Sequence, residues 1–196
     1  DYDIVDVPVG GAIKARITPE ELGSLEMIRL TGVLNDDDIA YFTQNASSVI
    51  CLDISSVSII DNNATKSTEN NTLDGGFNSL TSLKEVYMPV NLKVIEGNAF
   101  SGCESLEKVY WGTDSQLEVI GMGFSQDLWY NVTFWGPFSY CTALKSIDIP
   151  KNVMTIKTSA FYGSGIEEVN FAEDAAIDVL EATEYYVTNN LGASQP

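Results

Sequence analysis

The side chains with chemical potential in this chain are carboxylates and tyrosines, not the usual catalytic set. The 196 residues carry 28 Asp and Glu against 10 Lys and Arg, a formal charge of −18, and no histidine. That absence removes the commonest general base, the commonest metal ligand and the usual partner of a Ser or Cys nucleophile. No G-x-S-x-G, phosphate-binding G-x-x-x-x-G-K or C-x-x-C run occurs. A glycosidase needs two carboxylates at a set separation, but with 28 acids some pair always qualifies, so abundance argues nothing. We therefore expect no catalysis, no cofactor and no metal site. So acidic a surface repels phosphate backbones, which excludes nucleic acid and favours basic partners.

What remains is recognition chemistry, and its residues recur at fixed offsets. Met27 and Arg29, Cys51 and Asp53, Glu85 and Tyr87, Lys108 and Tyr110, Ser146 and Asp148, Glu168 and Asn170 each stand two and four residues after an apolar residue. A stripe of this kind can hold a basic protein segment through charge and ring contacts, or a sugar through stacking and hydrogen bonds. The candidate ligand-binding residues are Arg29, Asp53, Glu85, Tyr87, Lys108, Tyr110, Asp148 and Asn170.

These residues are presented by a repeat. Residues 83–103 read LKEVYMPVNLKVIEGNAFSGC and residues 144–164 read LKSIDIPKNVMTIKTSAFYGS. Leu83, Val86, Met88, Pro89, Leu92, Ile95, Ala99 and Phe100 superimpose on Leu144, Ile147, Ile149, Pro150, Val153, Ile156, Ala160 and Phe161 without a gap. The alternating apolar residues predict a short strand with one buried face, closed by a proline that has no N–H for a ladder. A second apolar pair and an Ala-Phe turn complete the unit. Such a unit cannot bury its own apolar edge, so it must stack on neighbours.

The frame extends outward to strand starts at 25, 49, 83, 106, 144 and 166. Phe77 closes an earlier unit. Phe138 closes the unit that begins at Leu106, with Cys141 three residues on, as Cys103 follows Phe100. That unit therefore carries an insertion over about 121–137, rich in Phe124, Trp129, Tyr130, Phe134 and Trp135. Trp129, Tyr130 and Trp135 form a possible binding loop, because clustered aromatics mark interfaces; the same rings packed back onto the repeats would be structural. Residues 61–76 are polar and predict a long loop. The domain reading is an N-terminal cap region over 1–48 with short helices, repeats over 49–180, and a C-terminal cap and tail over 181–196.

The L-x-x-I-x-I-P…I…A-F…C pattern over 77–180 resembles the BspA-type (TpLRR-type) leucine-rich repeat of bacterial surface proteins. ITPEELGSLEMIRLTGVLNDDDIAYF followed by VICLDISSVSI resembles the capping region that precedes such repeats in secreted proteins of gut and oral anaerobes. Ser164, where the family usually has cysteine, and the 121–137 insertion depart from the pattern. The resemblance implies an α/β solenoid: a right-handed leucine-rich repeat superhelix, with short parallel strands stacked in one curved sheet and a small helical N-terminal cap. It also implies a non-catalytic binding or adhesion module, secreted or on the bacterial outer surface, that takes a host or bacterial protein. Carbohydrate binding and a structural spacer or assembly role are the alternatives.

DYDIVDVPVG has no basic region and no long apolar run. With export implied, we expect a mature fragment whose signal peptide has been removed. No run of about 18 apolar residues occurs, so we expect no membrane-spanning segment. Residues 1–17 predict an edge strand and a Gly10-Gly11 turn, and strand 26–30 ends at Thr31-Gly32. Thr18-Pro19-Glu20-Glu21 predicts a helix start with a capping box. Asp36 or Asp37 is expected to cap a second helix; the acids there lack EF-hand spacing. Cys103 and Cys141 share one repeat position and read as small buried hydrophobes on neighbouring turns, where a bridge is allowed but not required. Cys51 is expected to face outward from its strand.

Overall fold

The computed structural model describes residues 1–60, 71–121, 136–157, 159–175 and 177–180. Trp129, Tyr130 and Trp135, with most of the expected insertion, lie outside the described residues, as does the expected C-terminal cap over 181–196. The chain opens with β1 (Asp3–Val7), α1 (Pro19–Ser24), β2 (Met27–Leu34), α2 (Asp36–Asn45) and β3 (Cys51–Ile59). Short strands then alternate: β4 (Thr72–Asp74), β5 (Glu85–Tyr87), β6 (Val94–Glu96), β7 (Lys108–Tyr110), β8 (Val119–Ile120), β9 (Ser146–Ile149), β10 (Thr155–Ile156), β11 (Glu168–Phe171) and β12 (Val179–Leu180). The result is a solenoid-like α/β stack.

The expectation of a single sheet is corrected. Among the described residues β1-β2-β3-β5-β7 form one five-stranded sheet, β4-β6-β8-β10-β12 a second, and β9 with β11 a two-stranded third. All pairings are parallel. The second sheet arises because the backbone at the second residue of each later apolar pair, such as Ile95, Ile120 and Ile156, is itself extended. Leu73, Ile95, Ile120, Ile156 and Leu180 fall in one register across it. Leu73 also explains why residues 72–74 form a strand where polar composition predicts a loop: it is the lone apolar residue there, and it is buried in line with Ile95.

The N-terminal elements follow their capping chemistry. Thr18 accepts from the Glu21 amide and the Glu21 carboxylate accepts from the Thr18 amide, closing the expected box on α1. In α2 the cap is Asn35, not Asp36 or Asp37. The Asn35 side chain accepts from the Asp38 amide at 3.0 Å, and Asp38 accepts back from the Asn35 amide at 3.1 Å. Asp38 is buried because it also accepts from the Gly11 and Ile13 amides, tying the first turn of the chain to α2. β2 does not stop at Thr31-Gly32. It passes a register shift between Arg29 and Thr31 and pairs with β3 as far as Leu34.

One column of rings runs through the interior. Phe77 stacks on Phe100 (centroids 5.5 Å apart), Phe100 on Phe138 (6.0 Å) and Phe138 on Phe161 (5.9 Å), all near parallel; Phe42 of α2 meets Phe77 edge-on. Phe138 thus occupies the closing position despite the insertion before it. Two residues after each ring the backbone turns left-handed: φ is 58° at Ser79, 72° at Gly102, 59° at Tyr140 and 66° at Gly163. Glycine takes this conformation without a Cβ clash, whereas Ser79 and Tyr140 carry its cost. The amides of Ser79, Gly102 and Tyr140 donate to Ser101, Ser139 and Tyr162 in the following turn, so the same twist that reverses the chain joins one repeat to the next.

The column predicts graded losses. Phe100→Ala, with rings on both sides, should cost about 3–5 kcal/mol in chemical denaturation, and Phe161→Ala, at the end of the described column, should cost less.

Candidate functional site

The strand-face stripe is built by register. Arg29, Asp53, Tyr87 and Tyr110 align in one row, and Met27, Cys51, Glu85 and Lys108 in the row beside it. Asp148 aligns with Asn170, and Ser146 with Glu168, on the separate β9–β11 pair. Alternation places these side chains opposite Val86, Val109 and Ile147, which point into the core.

Neighbours within the row are engaged with one another. Arg29 Nε donates to Asp53 Oδ2 at 2.8 Å, and its guanidinium lies 4.6 Å from the centroid of the Tyr2 ring. Burial alone would raise the Asp53 pKa, but hydrogen bonds from the Ser55 hydroxyl and amide and the Arg29 guanidinium outweigh it and hold Asp53 below its ordinary value. Tyr87 and Tyr110 stack at 4.5 Å with 16° between their planes. Desolvation, followed by the Glu85 carboxylate, pushes the Tyr87 phenol up. The Asn170 side-chain amide donates to Asp148 Oδ1 at 3.1 Å. The predicted residues are therefore brought together as three pairs: Arg29–Asp53, Tyr87–Tyr110 and Asp148–Asn170. Glu85 and Lys108 stand side by side in the adjacent row.

Two features were missed by sequence reasoning. Tyr2 folds over the start of the stripe, covering Arg29 and placing its hydroxyl 3.1 Å from Cys51 Sγ; Tyr2 belongs to no repeat, so no spacing announced it. The second is a break in the ladder. β7 and β9 are adjacent but share no strand pairing, whereas β8 and β10 remain paired across the same step. A cavity of about 290 Å³ opens where β7 and β9 end, lined by Tyr110, Trp111, Ser115, Asp148, Pro150 and Lys151 among others.

Residues 34–126 and 132–191 match the BspA type Leucine rich repeat region, which the comparison divides into six copies. The chain belongs to this family. No curated protein matches it. Leucine-rich repeats of this kind are generally non-catalytic scaffolds that bind proteins, and BspA-type proteins are typically surface-associated. Among the described residues of this BspA-type chain, no helix is long and apolar enough to cross a membrane. None of their His, Cys, Asp and Glu side chains gather in threes fit to hold a metal ion.

The BspA-type cysteine position has a local explanation. Cys103 Sγ lies 3.2 Å from the Phe77 carbonyl and Cys141 Sγ 3.2 Å from that of Phe100, each thiol donating to the turn before it. Both are free and buried. Burial pushes the Cys103 thiol up to about 12 and raises the Cys141 thiol well above its ordinary value too, so neither supplies a thiolate near neutrality. Cys51 does face outward, but Tyr2 covers it. At Ser164 the hydroxyl that stands in the cysteine position is buried without a partner among the described residues.

Two outcomes follow from this geometry. Ellman's reagent at pH 8 should find no fast-reacting thiol in the native protein and three after denaturation, and Tyr2→Ala should release one, Cys51. Asp53→Asn should cost about 2 kcal/mol at pH 7. Because the folded pKa of Asp53 is depressed, its stabilisation is complete above the ordinary aspartate value of about 3.9 and is lost as pH falls through the lower folded value. Urea melts of wild type and variant should therefore converge only below about pH 4.

Proposed function

We propose that this chain is a cell-surface or secreted recognition module that binds a protein partner, mediating adhesion or another protein–protein contact, through the strand-face stripe. The observation that carries this reading is the row Arg29, Asp53, Tyr87, Tyr110, continued by Asp148 and Asn170. It is an ordered strip of charge and aromatic surface where the repeats of such a fold present an open sheet face. Tyrosine supplies contact area at low entropic cost, and carboxylates give the strip its preference for basic partners. Right-handed superhelical winding, with α1 and α2 as an N-terminal cap and residues 181–196 as its counterpart, is part of the same proposal. So is a binding role for the loop that carries Trp129, Tyr130 and Trp135.

The test is an array of extracellular matrix and bacterial surface proteins, with glycans alongside, probed with wild type and with the Tyr87→Ala, Tyr110→Ala double variant. We expect a saturable protein hit that the double variant loses while its melting temperature changes by only a few degrees. A hit that survives the double variant would move the site off the stripe. Concentration-dependent self-association with no ligand would favour the spacer role.

A further inference from the structure

The Tyr2–Arg29–Asp53 cluster shows what this sheet face does with a guanidinium. It lays the group over a ring at 4.6 Å and pairs it with a carboxylate at 2.8 Å. The break between β7 and β9 offers the same two components, a ring and a carboxylate, with no arginine between them. Tyr110 and Asp148 both line the cavity there. One face of the Tyr110 ring is taken by Tyr87, and the two planes are nearly parallel. The rings stack between paired strands, so the second face of Tyr110 is turned toward the next repeat, where Asp148 stands. Among the described residues Asp148 accepts one hydrogen bond, from Asn170, through Oδ1. A carboxylate has room for several more.

We propose that the cavity between β7 and β9 is an arginine-binding slot, in which the guanidinium of a basic protein segment stacks on Tyr110 and donates to Asp148. The inference rests on the protein-binding reading of the stripe and assigns its anchor point. Three observations favour arginine over other occupants. The chain itself fills the matching environment at the other end of the same row with an arginine. The net charge of −18 draws cationic segments toward it. A planar guanidinium satisfies ring and carboxylate together, which a lysine ammonium does less well. Lys151, which also lines the cavity, opposes the bound charge; it is exposed, so its long stem lets the ammonium reach into solvent or serve a peptide carbonyl beside the arginine.

The experiment is titration of the protein, followed by two-dimensional NMR and calorimetry, with three blocked hexapeptides: oligoarginine, oligolysine and oligoglutamine. The slot predicts saturable shifts at Tyr110 and Asp148 with oligoarginine, weaker binding of oligolysine and none of oligoglutamine. Asp148→Asn and Tyr110→Ala should each weaken oligoarginine about tenfold, Tyr110→Phe should retain it, and Glu20→Gln, an equal charge change on the exposed face of α1, should leave it unchanged. Equal affinity for arginine and lysine, or equal effects of Asp148→Asn and Glu20→Gln, would mean diffuse attraction to an acidic surface and would overturn the slot. So would the absence of binding. Either result leaves the stripe reading standing or falling on the protein array alone. Shifts at Tyr110 and Asp148 produced by maltotriose, with none from oligoarginine, would overturn the arginine assignment in favour of sugar.

Discussion

The stacked phenylalanine column is the constraint on which the repeats depend. A repeat of this length has too little apolar surface to fold alone, and its strands are only two to four residues long from β4 onward. Isolated strands so short are not stable. What fixes each turn against the next is the ring at Phe77, Phe100, Phe138 and Phe161, held near 5.5–6.0 Å from its neighbour. The left-handed residue two places on and the thiol three places on serve that ring. The first reverses the chain immediately after it and donates to the next turn; the second satisfies a carbonyl that the stacked rings would otherwise leave in an apolar interior. A buried thiol suits the place because it is small, mostly apolar and still a weak donor.

This arrangement explains how an insertion enters the array without dividing it. The repeat frame lapses after Gly121 and resumes at Gly136, where an added Cβ would clash with the Ser159 carbonyl. Gly136 therefore sits against the backbone of the next turn, and Phe138 then takes its place in the column. The second sheet also continues, since the Met154 amide donates to Glu118 across the step. The first sheet does not. Column and second sheet hold the two halves together, so the strand-face ladder can be interrupted without unfolding the stack. The interruption falls on the face where the row of tyrosines ends.

How much of this was legible follows from what each feature needs in order to show in a sequence. The strand starts at 83, 106, 144 and 166, the closing role of Phe138 and the pairing of Tyr87 with Tyr110 rest on repetition, and repetition is visible without coordinates. The second sheet was missed because β4, β6, β8 and β10 carry one buried residue each, such as Ile120, and a single residue has no period to read. β4 was missed for a sharper reason: Leu73 sits among polar neighbours, so local composition outweighed the frame that makes it the counterpart of Ile95. The cap of α2 fell to Asn35 because Asp38, three residues on, has a use that spacing cannot reveal, binding two amides of the first turn. Tyr2 and the break between β7 and β9 were beyond reach because neither is a property of the repeat.

On the proposed reading of the strand face, the pairing along it bears on where a partner would bind. A charge already answered within the protein offers a partner little, because binding there must first displace or share the existing contact. Arg29 and Asp53 are in that position, and Tyr2 covers them further. Glu85 and Lys108 neighbour one another in register, so their fields largely cancel at a distance. Tyr87 is closed on one side by Tyr110. Moving along the row, each successive residue is spent until the step after Tyr110, where the ladder stops and Tyr110 and Asp148 line one cavity. A repeat protein with perfect periodicity would present the same weak surface at every turn. Here the lapse in periodicity gives one place on the stripe a character the others lack, and specificity requires such a difference.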